Sequence, residues 1–262
     1  MLRLDEFALE MQRPDPALDR VTALIAAVGR DRVDPDVLIA QLDRIAARVG
    51  GGAGRIDAAG ICSALFAPGG LQGDRRDYYA PDNSLLDRVL ERRRGIPITL
   101  SVIAIEIGRR LDGPLVGVGM PGHFLVGDGI RPDRWFDVFD HGRPLDLAGA
   151  RACFAVLHGD ATPFDPSLLA RTSTTDIVLR MLNNLSGAYL RLGDRPGATR
   201  AARLQSCVPG TWPESGRRLA QLLEAGGEFG EAARTYEQLA DRDPLHADQH
   251  RLAAHHLRAR LN

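Results

Sequence analysis

The 262-residue sequence contains no lysine; all 33 of its basic residues are arginine. That absence excludes a Schiff-base lysine, a Walker-A lysine and a lysine–serine dyad. Aromatic residues make up only 5% of the chain, so its core has to come from Ala, Leu, Val and Ile. Cysteine is scarce too. Cys62, Cys153 and Cys207 are odd in number, widely spaced and outside any CxxC or Cys/His ligand pattern. A disulfide framework and a zinc site are therefore not expected, whereas a reducing compartment is. No stretch approaches about 18 apolar residues without a charge or a turn signal. The N-terminal MLRLDEFALEMQRPDP carries acids where a signal peptide needs an unbroken apolar run. With a formal charge of −1, the surface has no overall field to attract nucleic acid or anionic lipid. A soluble cytoplasmic protein is expected, with neither nucleic acid nor membrane as partner.

What is present is enough for a proper core: 44% hydrophobic and 26% charged residues. Segment 16–50 patterns as two amphipathic helices. Leu18, Val21, Leu24, Ile25 and Val28 fall at 3/4 spacing before Gly29. Asp34 then caps a helix that opens on Pro35 and carries Val37, Leu38, Leu42, Ile45 and Val49 on one stripe. A short helix is expected around Arg55–Phe66. The following APGGLQGDRRDYYAPDNS breaks all periodicity.

From Asn83 the pattern sharpens. Asn83 or Ser84 is placed to cap LLDRVLERRRG, a short helix closed by Gly95. Pro97 opens ITLSVIAIEIGRRL, apolar nearly all round and hence central and buried. The period then switches to two. LVGVGM and HFLVG are short strands around a Pro121-Gly122 turn, and RWFDVFD is a third, which predicts an α+β arrangement of helix against antiparallel sheet. Beyond residue 170 the strands vanish. LRMLNNLSGAYLRLGD and GRRLAQLLEAGGE are each followed by a second helical run. They superpose with Gly193 on Gly227 and Ala198 on Ala232, a period of 34, with Pro209 and Pro244 one residue out of register. That period is a tetratricopeptide signature, and a final helix over 245–261 completes the array.

The central order Gly95-Ile96-Pro97, Pro121-Gly122-His123, Phe136-Asp137 sets a helix N-terminus beside a strand histidine and an acid on the next strand. Papain-like and transglutaminase-like folds arrange Cys, His and Asp in this way: the helix dipole lowers the thiol pKa, imidazole takes the proton, and carboxylate fixes the tautomer. With Asn83-Ser84, Leu90-Glu91-Arg92-Arg93, GIPITLSVIAIEIGRRL, GVGMPGHFLVG and FDVFD, the chain resembles the SirB1 family over roughly residues 60 to 260. Members of that family join a transglutaminase-like domain to tetratricopeptide repeats. The resemblance implies a transglutaminase-like (papain-like cysteine-protease superfamily) helix-plus-antiparallel-sheet domain, and with the helical N-terminal part, which lies outside the resemblance, that domain is placed at 1–165. An all-α tetratricopeptide-like domain at 174–262 follows.

Carried over residue by residue, His123 and Asp137 match the histidine and aspartate of the transglutaminase-like core. Pro97 falls where active members of the wider superfamily have their cysteine, and a pyrrolidine ring cannot attack anything. Ser101, one turn deeper on the same helix face, is the candidate substitute nucleophile; otherwise it is a small residue packed between helix and sheet. Glu91 is either a buried carboxylate facing His123 or an arginine, or a surface ion pair with Arg93 or Arg94. Asn83, Glu91, Arg93 and Pro97 are the candidate binding positions around the helix start. His246 and His250 have metal-pair spacing but lack the zincin Glu-x-x and an evident third ligand, so a solvated terminal helix is expected. GGAG at 51–54 follows no strand and supports no nucleotide site. No cofactor or metal is expected.

Two functions follow. One is a binding, scaffold or regulatory pseudoenzyme that meets a protein or peptide through its repeats. The other is a hydrolase or acyl transferase on an amide or peptide, with His123 as base, Asp137 as orienter and Ser101 as candidate nucleophile.

Overall fold

The computed structural model describes residues 2–30, 32–51 and 56–261. Apart from Gly51, the GGAG stretch lies outside the described residues, as does Arg55. By contacts the chain divides into two units, Ala17–Met181 on one hand and Met1–Pro16 with Leu182–Asn262 on the other. The first helix, α1 (Leu2–Met11), thus groups with the C-terminal helices, whereas the sequence places it with the N-terminal domain.

The larger unit opens with α2 (Leu18–Gly29) and α3 (Pro35–Val49). Asp34 caps α3 as expected, accepting the Asp36 amide at 3.0 Å. Next come α4 (Ala58–Phe66), β1 (Gln72–Gly73), α5 (Leu86–Arg92), β2 (Arg94–Gly95) and α6 (Pro97–Arg110). Asp57 begins α4, accepting the Gly60 amide at 2.9 Å. The rest of the unit is β3 (Leu115–Val118), β4 (Leu125–Asp128), β5 (Trp135–Asp137), β6 (Arg143–Leu145), α7 (Leu147–His158) and the first part of α8 (Thr174–Arg191). Strands β3 to β6 form one sheet in sequence order, each pair antiparallel.

Helix α6 is the axis of this unit. Ile98, Leu100, Val102, Ile103 and Ile107 are all buried, packed among α2, α3, α4 and the sheet. Each such side chain stabilises the fold by about 1.5–3 kcal/mol. The helix C-terminus is tied to α2 by charge. Arg110 donates to Asp19 at 2.7 Å, to Glu106 at 2.6 Å and to Asp43 at 2.7 Å. Burial, joined by the Asp19 charge, still raises the Glu106 carboxyl above its ordinary value.

Several local expectations change. Asn83 and Ser84 lie in a 3-10 turn, Pro81–Ser84, and the α5 N-cap is Leu85 without a side-chain cap. Helix α5 ends at Arg93, in the left-handed region at φ 56°, because Arg94 and Gly95 leave it to pair with β1. Strands β1, β2 and β6 and helix α7 were not foreseen.

In the smaller unit α1 packs on α9 (Arg195–Ser206), burying Phe7 and Met11. Helices α10 (Glu214–Ala225), α11 (Phe229–Arg242) and α12 (Ala247–Ala259) follow, each packed on the one before. Gly193 and Gly227, one period apart, adopt φ of 70° and 78° at corresponding turns. Small residues, Ala198, Ala202, Ala232 and Ala233, are buried in these helices. The terminal histidines are not simply solvated. His250 is buried, and both His246 Nδ1 (3.1 Å) and His250 Nε2 (3.2 Å) meet Asp243. Arg217 meets the same carboxylate at 2.8 Å. No helix among the described residues is long and apolar enough to cross a membrane.

Candidate functional site

His123 sits in the turn just before β4, not on the strand itself. Gly122 makes that turn at φ 73°, and the His123 amide donates to Met120 O at 3.1 Å. Two side chains clamp the turn. His158 Nε2 on α7 meets Pro121 O at 3.0 Å, and Arg180 on α8 donates to Met120 O at 3.0 Å and His123 O at 2.7 Å.

Asp137, at the end of β5, brings its carboxylate to the imidazole. Its Oδ1 lies 3.1 Å from His123 Nε2 and accepts the amides of Phe139 (3.1 Å) and Asp140 (3.2 Å). Burial opposes ionisation of Asp137, but the His123 hydrogen bond and charge and the two amides outweigh it, holding the carboxyl below its ordinary value. An ionised carboxylate only accepts, so Nε2 is the donor in this pair, and the lone pair of the ring in its neutral form is on Nδ1. Nδ1 has no hydrogen-bond partner among the described residues. This nitrogen can serve as a base or accept from a ligand.

Among the described residues no nucleophile is paired with that nitrogen. Pro97 occupies the first turn of α6, where it contributes no amide N–H. Ser101 is fully buried and its Oγ has no hydrogen-bond partner, so the Ser101–His123 pair weighed from the sequence is not formed. The reason is depth: one turn along α6 carries the hydroxyl into the core. Thr99 Oγ1 is likewise enclosed and unpartnered. Cys62 is buried on α4, and burial, with the Asp128 and Asp57 charges, pushes its thiol up to about 12. Cys153 Sγ meets Arg143 Nη2 at 3.6 Å, and that guanidinium is 4.0 Å from Asp137 Oδ2.

The candidate binding positions separate. Glu91 is exposed and ion-paired with Arg88, so it is a surface group, with Arg88 in place of the expected Arg93 or Arg94. It borders a groove of about 730 Å3 between α3 and α5 that His123 does not line. Arg93 donates to Gly69 O at 3.0 Å. Asn83 is fully buried; its Nδ2 donates to Asp77 O at 2.6 Å and its Oδ1 accepts from Arg92 at 3.2 Å. Arg92 also holds buried Asp74 at 3.0 Å, so Asn83 organises the loop 74–80 rather than presenting itself to a ligand.

That loop supplies what the sequence did not reveal. Tyr78 stands edge-on to Phe139 with centroids 5.8 Å apart, and His123 stands edge-on to the same ring at 6.5 Å. Phe139 in turn lies against Gly73, where an added Cβ would come within 2.4 Å of its ring. Phe139 thus stands beside the His123 ring with Tyr78 against it, and Arg180 holds the His123 backbone carbonyl. The DYY and FD motifs hinted at the aromatics, but no period linked them to the histidine. Among the described residues no cluster of His, Cys, Asp and Glu has the geometry to hold a metal ion.

The comparisons agree with this fold. A model of the transglutaminase-like superfamily matches residues 36–183, which include α6, His123 and Asp137. A UPF0162 protein of Xylella fastidiosa is 40% identical over 175 residues, 63% of this chain and 61% of that protein. The chain thus spans about three fifths of that relative's length. A UPF0162 protein of Pseudomonas aeruginosa is 30% identical over 194 residues, 72% of this chain and 70% of that protein. Human F-box only protein 21 is 31% identical over 143 residues, 51% of this chain and 21% of its own. A superfamily match over more than half of the sequence, with a relative covered over most of its length, makes the chain a member of the transglutaminase-like superfamily and of the UPF0162 family.

Proposed function

We propose that this is a ligand-binding, scaffold or regulatory pseudoenzyme of the SirB1 type, in which a histidine–aspartate pair is kept without a nucleophile. The observation that carries this reading is the pairing at His123. Asp137 takes Nε2, Nδ1 faces no thiol or hydroxyl among the described residues, and α6 begins with Pro97. The helical hairpins with a 34-residue period act as a tetratricopeptide-like module for a protein or peptide partner. Free cysteines and the absence of a net basic field favour a cytoplasmic setting without nucleic acid or membrane partners.

The second reading, a hydrolase or acyl transferase on an amide or peptide, draws on the open Nδ1 as a general base acting through water or through a displaced Ser101. Labelling decides between them. Wild type, His123→Ala and Pro97→Cys are treated with a serine-reactive phosphonate and with iodoacetamide. The binding reading expects no His123-dependent label on wild type, and a new His123-dependent label at position 97 in Pro97→Cys. Stoichiometric, His123-dependent labelling of Ser101 or a native cysteine overturns it in favour of the enzyme.

A further inference from the structure

The groove of about 730 Å3 between α3 and α5 takes no part in the His123–Asp137 pair. Its walls are two helices that both pack on α2 and α6 but touch one another little. Buried Leu38 and half-buried Ile45 and Leu90 line it, so its centre is apolar. Along α3, Gln41, Arg44, Ile45 and Arg48 recur at three- and four-residue spacing and so share one face. From Leu38 to Arg48 that face runs about 15 Å, just under three helical turns. Val37, four residues before Gln41 and 52% exposed, prolongs it towards the start of α3.

The charges on the two walls differ in kind. The α5 carboxylates are already compensated: Asp87 pairs with Arg30 at 3.0 Å, and Glu91 with Arg88. On α3, Arg44 and Arg48 are exposed, and neither has a carboxylate within ion-pair reach among the described residues. The acids of their own helix are engaged elsewhere, Asp43 by Arg110 at 2.7 Å and Asp36 by Arg20. The groove therefore presents two unneutralised positive charges, one turn apart, at the rim of an apolar centre. An occupant has to bring its own carboxylates at matching spacing, together with an apolar stripe to fill the middle. A small anion meets only half of this, because salt screens its attraction to exposed guanidiniums. A second copy of the chain would offer, from α5, acids that are already paired.

We infer that the α3–α5 groove is a docking surface for an acidic amphipathic helix of a partner protein. The apolar stripe of that helix lies over Leu38, Ile45 and Leu90, and two Asp or Glu residues four apart meet Arg44 and Arg48. This surface is separate from the helical repeats and does not depend on the reading of His123–Asp137.

The test is a selection against the full chain. The probe is a displayed library of helix-forming peptides of about 15 residues, with a fixed leucine stripe and Glu, Lys or Gln at every flanking position. Enriched peptides are expected to carry glutamates four apart beside the stripe, to shift the amide resonances of α3 and α5, and to weaken as salt is raised. Arg44→Gln/Arg48→Gln should bind them at least tenfold less tightly with Tm unchanged, since both side chains are exposed. Arg44→Glu/Arg48→Glu should reject them and accept the same peptides with lysine in place of those glutamates. His123→Ala should bind as wild type. No enrichment, enrichment of lysine-bearing peptides, shifts confined to other helices, or full affinity in Arg44→Gln/Arg48→Gln each overturns the inference. So does binding of phosphatidylglycerol vesicles through Arg44 and Arg48 with no selected peptide competing, or a dimer of the chain that these substitutions dissociate.

Discussion

Asp137 concentrates most of the site's electrostatics in one carboxylate, since one oxygen serves an imidazole and two amides. Hydrogen bonds to a charged group contribute about 1.5–3 kcal/mol each when their loss leaves a buried partner unmet. Replacing Asp137 by Asn is expected to lower stability by an amount in that range near neutral pH. The pH dependence has a definite sign. A carboxyl depressed in the folded state stabilises it above the unfolded value of about 3.9, and that stabilisation is lost as pH falls through the lower folded value. Urea unfolding of wild type and Asp137→Asn should show a gap at pH 5 that narrows by pH 3; an unchanged gap contradicts the assignment. The pair itself was legible in the sequence, because PGHFL and FDVFD stand on short apolar segments that invite pairing. Ser101 misled because spacing along a helix gives a face but not a depth.

At the scale of elements, the site is assembled by very short pieces. Two-residue strands β1 and β2 pair in parallel, aligning Gly73 with Gly95 directly ahead of α6. This ribbon positions the loop carrying Tyr78 and supplies the flat surface on which Phe139 rests. A methyl group at position 73 would meet three ring atoms between 2.4 and 2.8 Å away. Backbone on one side and a whole ring on the other leave little room to yield. Gly73→Ala is therefore expected to cost about 1–3 kcal/mol as overpacking and to disturb the ring of His123 that stands on Phe139. Thermal unfolding and the His123 ring resonances read both effects, and wild-type values for the two would refute the packing described. None of this was legible beforehand. A strand of two residues has no alternation to detect, and residues 67–84 show only turn chemistry. By contrast α2 and α3 were legible because each repeats its apolar stripe for three turns or more, and α6 because it is apolar nearly all round.

For the whole molecule, the legible and illegible parts divide by how far apart in sequence the contacting elements lie. The C-terminal hairpins repeat locally, so their period and turns could be seen directly. The place of α1 could not. It is a short helix with a plain amphipathic pattern, and nothing in that pattern indicates a partner almost two hundred residues away. In the structure Phe7 is fully buried and Met11 nearly so, within the unit built from Leu182 onwards, while Leu9 on the same helix is 66% exposed. Phe7→Ala should consequently destabilise that unit by about 3–5 kcal/mol, the usual cost of emptying a buried phenylalanine site, whereas Leu9→Ala should stay within about 0.5 kcal/mol. Hydrogen exchange gives the location as well as the size of the effect. In Phe7→Ala the amides of α9, on which α1 packs, should lose protection. In Leu9→Ala they should exchange as in wild type. If α9 keeps its protection in Phe7→Ala, the first helix does not belong to the C-terminal unit, and the division of the chain has to be redrawn at its N-terminus.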